Sequence, residues 1–166
     1  MHAPYSHRQI GIQSLIAHAV GIVVLAWVFF RVALVGVSVP MFAALAIMLV
    51  VSLVTFTSLH CDVDSEQFRA RFGIFGWPGK CVPLADIAGA LPTRTAIISG
   101  FGIRVTTRGW LYSVSGRDAV IVGMRVGKQF LIGTDEVIAL AEAINQSLGR
   151  APEFGAIRGA TSRPVA

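Results

Sequence analysis

Hydrophobic and polar positions divide the chain into two unlike halves. From Gln9 to Phe30, and again from Val32 to Cys61, no Asp, Glu, Lys or Arg interrupts the sequence, and Arg31 alone separates the two runs. Each run exceeds the roughly 20 residues that a helix needs to cross a hydrocarbon core. In lipid every backbone polar group must be satisfied within its own segment, so both runs are predicted helices. The predicted spans are residues 10–30 and 37–59, in a transmembrane hairpin covering 10–60, preceded by a short segment 1–9. Trp27, Phe29 and Phe30 close the first span, where aromatic rings favour the interface. Pro40 sits at the start of the second helix, where its missing N–H costs little. The first run is longer than the apolar core of a signal peptide (about 7–15 residues) and leads straight into the second, which argues against cleavage.

After Cys61 the period changes to two. Phe68-Arg69-Ala70-Arg71-Phe72 alternates, as does Ile103 to Thr106, and Trp110, Tyr112 and Val114 share one face. Ala119–Val126 is a more continuous β-branched run, followed by Lys128–Ile132. Gly and Pro punctuate these segments, notably in Gly76-Trp77-Pro78-Gly79. The pattern predicts an antiparallel meander of about six or seven strands. The last element differs. Val137, Leu140, Ala141, Ile144 and Leu148 fall on one face at helical period. Thr134 is the predicted N-cap, Asp135 and Glu136 the acidic first turn, and Gly149 the stop of a helix of about 15 residues. The strands and this helix make a predicted domain over 61–149, and the aperiodic tail 150–166 is expected to be disordered.

Composition sharpens this picture. Only 14% of residues are charged and 54% are apolar, which excludes a disordered chain and argues against a fully soluble globule. From Asp62 onward there are 12 basic and 9 acidic residues, a net of +3, too mild for a nucleic-acid surface. The hairpin loop carries only Arg31, whereas Arg8, Arg69, Arg71 and Lys80 flank the other ends of the spans. The positive-inside rule therefore places both termini and the second half in the cytoplasm, on an inner (cytoplasmic) membrane crossed twice.

Short strands followed by one amphipathic helix suit a small bent sheet whose open end the helix covers. The carriers are GIFGWPGKCVPLADIAGA at Gly73–Ala90, GFGIRVTTRGWLYSVSGRDAVIV at Gly100–Val122 and KQFLIGTDEVIALAEAI at Lys128–Ile144. With the preceding hairpin, these segments resemble the membrane-anchored bacterial proteins with a pleckstrin-homology-like (PH-like) domain. The resemblance spans Val63–Leu148 and implies an α+β fold: a two-helix transmembrane hairpin, then a PH-like antiparallel sheet or barrel capped by one C-terminal helix. It brings no catalytic residue and no cofactor.

The residues agree with that silence. His2, His7, His18 and His60 have no metal-ligand spacing, and no nucleophile elbow, zinc-protease motif, P-loop or dinucleotide fingerprint occurs, so no enzyme is expected. Asp62 and Asp64 read as a solvated turn at the membrane exit. Cys61 and Cys81 read as reduced thiols, which behave as small hydrophobes where buried. His18 inside the first span reads as a neutral residue bonded locally, with Ser14 one turn earlier. Arg69, Arg71 and Lys80 around the first hairpin, with Trp77 at its tip, are the candidate contacts for lipid or partner. The plainer reading packs Trp77 on the domain and leaves the arginines as solvated strand residues. Two functions follow from these features. The first is a membrane-anchored module binding a protein partner by strand addition or side-chain docking. The second is an anionic-lipid or envelope-maintenance protein using the basic hairpin. Gly11, Ala17, Gly21 and Ala26 permit close helix contacts in a homo-oligomer.

Overall fold

A computed structural model describes residues 5–32, 39–95, 102–149 and 151. The expected disordered tail therefore lies outside the described residues, apart from Ala151. Two long apolar helices are present, α1 (Ile12–Val32) and α2 (Val39–Phe56). Both are long and apolar enough to cross a membrane, and only 6% of each span is buried. A core helix of a soluble domain hides its apolar face, whereas Val23, Phe30, Ile47 and Met48 here point outward. Phe29 and Phe42 meet edge to face across the pair, and Gly21 lets Leu49 approach α1 closely.

The helices are inserted into a β-hairpin. The strand before them, β1 (Tyr5–Ile10), pairs antiparallel with the strand after them, β2 (Ser58–Val63). Only Gly11 joins β1 to α1 and only Thr57 joins α2 to β2, and the Gly11 N–H donates to the Thr57 carbonyl at 2.7 Å. Residues 5–9 thus belong to the β-domain rather than to a separate N-terminal segment. The second helix also ends earlier than expected, at Phe56, and the residues after Thr57 turn into strand.

The first sheet runs β1-β2-β3-β4, with β3 Gln67–Phe72 and β4 Gly79–Pro83. A 3-10 turn at Leu84–Asp86 leads into the second sheet, ordered β5-β8-β9-β7-β6. Its strands are β5 Ile87–Arg94, β6 Gly102–Thr106, β7 Gly109–Ser113, β8 Asp118–Met124 and β9 Gln129–Gly133. A plain meander of six or seven strands does not describe this arrangement. β9 pairs antiparallel with β8 but parallel with β7, so the β6–β7 hairpin adds to the far side of β9.

The two sheets enclose one core of Leu59, Phe68, Phe72, Val82, Ile87, Val120, Val122 and Ile132. Helix α3 (Val137–Ser147) closes it with Val137, Leu140, Ala141, Ile144 and Leu148, the stripe expected from the 3.6 period. Burying a side chain such as Leu140 or Ile144 stabilises the fold by roughly 1.5–3 kcal/mol. Asn145 fixes the helix to β5, accepting from the Ala90 N–H and donating to the Ala90 carbonyl, each at 2.9 Å. The helix begins later than predicted. Thr134 does accept an N–H, from Glu136, but in a turn ahead of the helix, and Asp135 and Glu136 precede its first turn and bind β1 instead.

Candidate functional site

Cross-strand register places the candidate residues. Partners directly opposite each other share a face, with Cβ atoms about 5 Å apart. On the outer face of the first sheet, Ile10 and Ser58 form the row nearest the helices. Arg8, His60 and Arg71 form the next row, then Ser6, Asp62, Arg69 and Cys81. Lys80 lies opposite buried Ala70 and so faces inward, its ammonium 5.9 Å from the Phe130 ring centroid. The expected basic set is therefore split: Arg69 and Arg71 share the outer face, and Lys80 lies behind it. Arg8, absent from the expected set, joins the row of Arg71 with His60 between them. Alternation alone could not show this, because the β1–β2 pairing that brings Arg8 there spans the whole helical hairpin.

Asp62 and Asp64 are not at the helix exit either. β2 carries them away from the helices, to the far end of the sheet. Asp62 accepts from Ser6 at 2.7 Å and from the Arg71 guanidinium. Burial opposes its charge, but these two bonds outweigh burial and hold its pKa below the usual value. A shallow cleft of about 180 Å³ lies between Tyr5, Ser6, Asp62, Asp64, Gln67 and Arg69. Arg71 lines it as well, so its two carboxylates are matched by two guanidinium groups.

The turn between β3 and β4 lies against α2. The Gly73 N–H donates to Ser58 at 2.8 Å, and a Cβ on Gly73 would stand 2.5 Å from the Val54 carbonyl oxygen and 2.7 Å from that of Thr55. Beyond Gly73, Phe75 (82% exposed) and Trp77 (77%) are the two most exposed large apolar side chains among the described residues. The reading that packs Trp77 on the domain is thereby overturned. A second loop, Val114–Arg117, sits at the start of α1. There the Gly116 N–H donates to Gln13 and Gln9 donates to Ser115.

His60 lies between Arg8 and Arg71, and its pKa is lowered, by burial first and then by Arg8, against an opposing pull from Asp62 that Arg71 partly offsets. A depressed folded-state value means that the unfolded chain binds the proton more readily. His60 therefore contributes stability that is present above its ordinary value of 6.5 and lost as pH falls below it. Acid unfolding curves of wild type and His60→Gln are expected to diverge below that point. Parallel curves would show the imidazole to be uncoupled from folding.

Other titratable groups have structural partners. His18 Nδ1–H donates to the Ser14 carbonyl (2.7 Å), and its Nε2 is hydrogen-bonded to the Ser52 hydroxyl of α2 (3.0 Å), so its local bond is joined by one between the helices. His7 bridges Asp135 at 2.8 Å and Glu136 at 3.3 Å, and Tyr5 donates to Glu136 at 3.0 Å, tying β1 to the approach to α3. Cys61 is buried, which pushes its thiol up to about 12, while Cys81 is exposed beside the Gln67 amide. Among the described residues no group of three His, Cys, Asp or Glu is placed to hold a metal.

The opposite end of the domain offers a different surface. Gly102 at the start of β6 lies beside Phe56, and Val114 after β7 lies beside Gly11, so this hairpin points away from the helices. Near its tip Val105 (69% exposed) and Trp110 (51%) are cross-strand partners, and β6 is an outer strand of the second sheet. Searches against protein-family models and curated proteins return no match.

Proposed function

We propose that the chain is a membrane-anchored interaction module with a PH-like domain on the cytoplasmic face of a bacterial inner membrane, binding a protein partner there. The observation that carries this reading is the exposed Val105–Trp110 pair on an outer strand, at the end of the domain remote from the helices. Such an edge accepts an added strand, and the apolar pair supplies side-chain docking. One residue on each side links the domain to the hairpin, so the edge is held at a fixed height above the bilayer. The PH-like likeness is supported by two sheets around one core with a C-terminal helix closing it. The parallel β7–β9 pair departs from it. Arg8 and Arg71 near one pair of helix ends, against Arg31 alone in the last turn of α1 at the other, support the cytoplasmic placement.

A photo-crosslinker at Val105 in the intact protein, in its own membranes, tests the reading. A discrete adduct with another protein is expected, lost at least tenfold when the same crosslinker is placed in a Trp110→Asp background. Adducts with lipid alone, or none, would overturn it. Adducts with a second copy of the chain would make the edge a site of self-assembly and refute the separate partner.

A further inference from the structure

The domain has a second exposed surface, at the level where the helices leave it. Ile74, Phe75 and Trp77 project from a turn whose backbone rests on the last turn of α2, and no charged residue lies between Gly73 and Gly79. Were the chain soluble, three such side chains on one six-residue turn would form a costly apolar patch. Beside a membrane they lie at the headgroup boundary, where a Trp ring favours both its apolar and its wet neighbours.

Charge complements this placement. Arg8 and Arg71 flank His60 in a single cross-strand row, one row farther from the helices. Their Cβ atoms are about 10 Å apart, two cross-strand steps, within reach of one phosphate for two long side chains. Arg8 has no ion-pair partner among the described residues. The carboxylate bound to Arg71, Asp62, sits on the side away from the helices. Guanidinium groups hold phosphate through forked hydrogen bonds; among the described residues Arg8 is free to do so, and a phosphate would share Arg71 with the Asp62 carboxylate.

We propose that this end of the domain binds anionic phospholipid: Ile74, Phe75 and Trp77 enter the interface while one headgroup phosphate is held between Arg8 and Arg71. The proposal rests on the reading that α1 and α2 cross the bilayer, and is independent of the partner edge. The chain has three tryptophans, so Trp27→Phe with Trp110→Phe leaves Trp77 alone. A companion with only Trp27 reports on the hairpin. The full-length proteins are placed in nanodiscs of phosphatidylcholine, with or without phosphatidylglycerol, containing lipids brominated at known depths.

Trp77 is expected to be quenched at shallow depth. Native mass spectrometry is expected to show retained phosphatidylglycerol, falling about 25-fold in Arg8→Gln with Arg71→Gln, a factor of about five for each arginine. Arg8→Lys with Arg71→Lys, which keeps the charge but not the fork, is expected to retain more phosphatidylglycerol than the Gln variant and less than wild type, which separates lost charge from lost fold. If Trp27 is quenched and Trp77 is not, the proposal fails while the membrane crossing stands. If neither is quenched, the crossing itself fails and takes the proposal with it. Equal retention of phosphatidylglycerol in the Gln variant, or its release by millimolar inorganic phosphate (about the range of weak surface sites), overturns the headgroup assignment.

Discussion

Phe72→Ala is expected to cost about 3–5 kcal/mol of domain stability, a large share of the 5–15 kcal/mol that typical domains possess. Phe72 is fully buried on β3 and is the hinge of a continuous series of ring contacts. Phe56, the last residue of α2, meets it nearly edge to face at 5.7 Å, and Tyr112 lies 6.3 Å away on its other side. Tyr112 then meets Phe130 at 6.4 Å and Phe130 meets Phe68 at 6.1 Å. Removing the ring deletes transfer energy, opens a cavity and breaks the contact between the helix end and both sheets. The measurement is denaturant unfolding of the full chain in a mild detergent, followed by near-ultraviolet circular dichroism. Trp77→Ala is the control, since an exposed side chain should shift stability by no more than about 0.5 kcal/mol. Equal shifts for the two variants would mean that the aromatic series does not hold the domain together.

The parts of this fold that were legible in the sequence are those whose signal is local. Two uncharged runs mark α1 and α2 because lipid or protein must satisfy each backbone internally, and composition alone records that demand. The stripe Val137–Leu148 marks α3 because one helix face repeats every 3.6 residues. β3 shows itself through Phe68, Ala70 and Phe72, which are buried while Arg69 and Arg71 face outward. Elements defined by distant partners were illegible. β1 turns Tyr5, His7 and Gln9 inward, polar-tipped residues that give no apolar alternation, and its partner β2 follows both helices. The parallel register of β7 with β9 leaves no trace in either strand, since each is apolar on both faces when central.

The candidate site divides in the same way. Arg69, Arg71 and Trp77 are visible as an alternating basic strand with an aromatic turn. Lys80 has the same charge and looks equivalent until pairing with Ala70 turns it to the inner face. Arg8 reads in sequence only as a charge before the first span. Its place in the row of His60 and Arg71 depends on strand order, and the only sequence cue is its even spacing from Ser6 and Ile10 on one strand face.

Gly73→Val is expected to detach the β3–β4 turn from α2, at a cost of roughly 3 kcal/mol or more, from 1–3 kcal/mol of backbone strain together with a steric clash. The residue has φ of +63°, a region that β-branched side chains scarcely enter. Its absent Cβ would also press on the carbonyls of Val54 and Thr55, which are backbone and cannot rotate aside. Relief requires the turn to lift, and lifting breaks the bond from the Gly73 N–H to Ser58. Gly116→Val separates the two causes. That glycine also has positive φ, +81°, but open space where a Cβ would stand, so only the strain component applies. Hydrogen–deuterium exchange of the full chain is the readout. Faster exchange is expected at residues 73–77 in Gly73→Val, with β8 and β9 still protected, and Trp77 should lose its shallow quenching by brominated lipid. Gly116→Val should leave both unchanged. Equal behaviour of the two variants would mean that the turn is not seated on α2, and the lipid-facing placement of Trp77 would lose its structural basis.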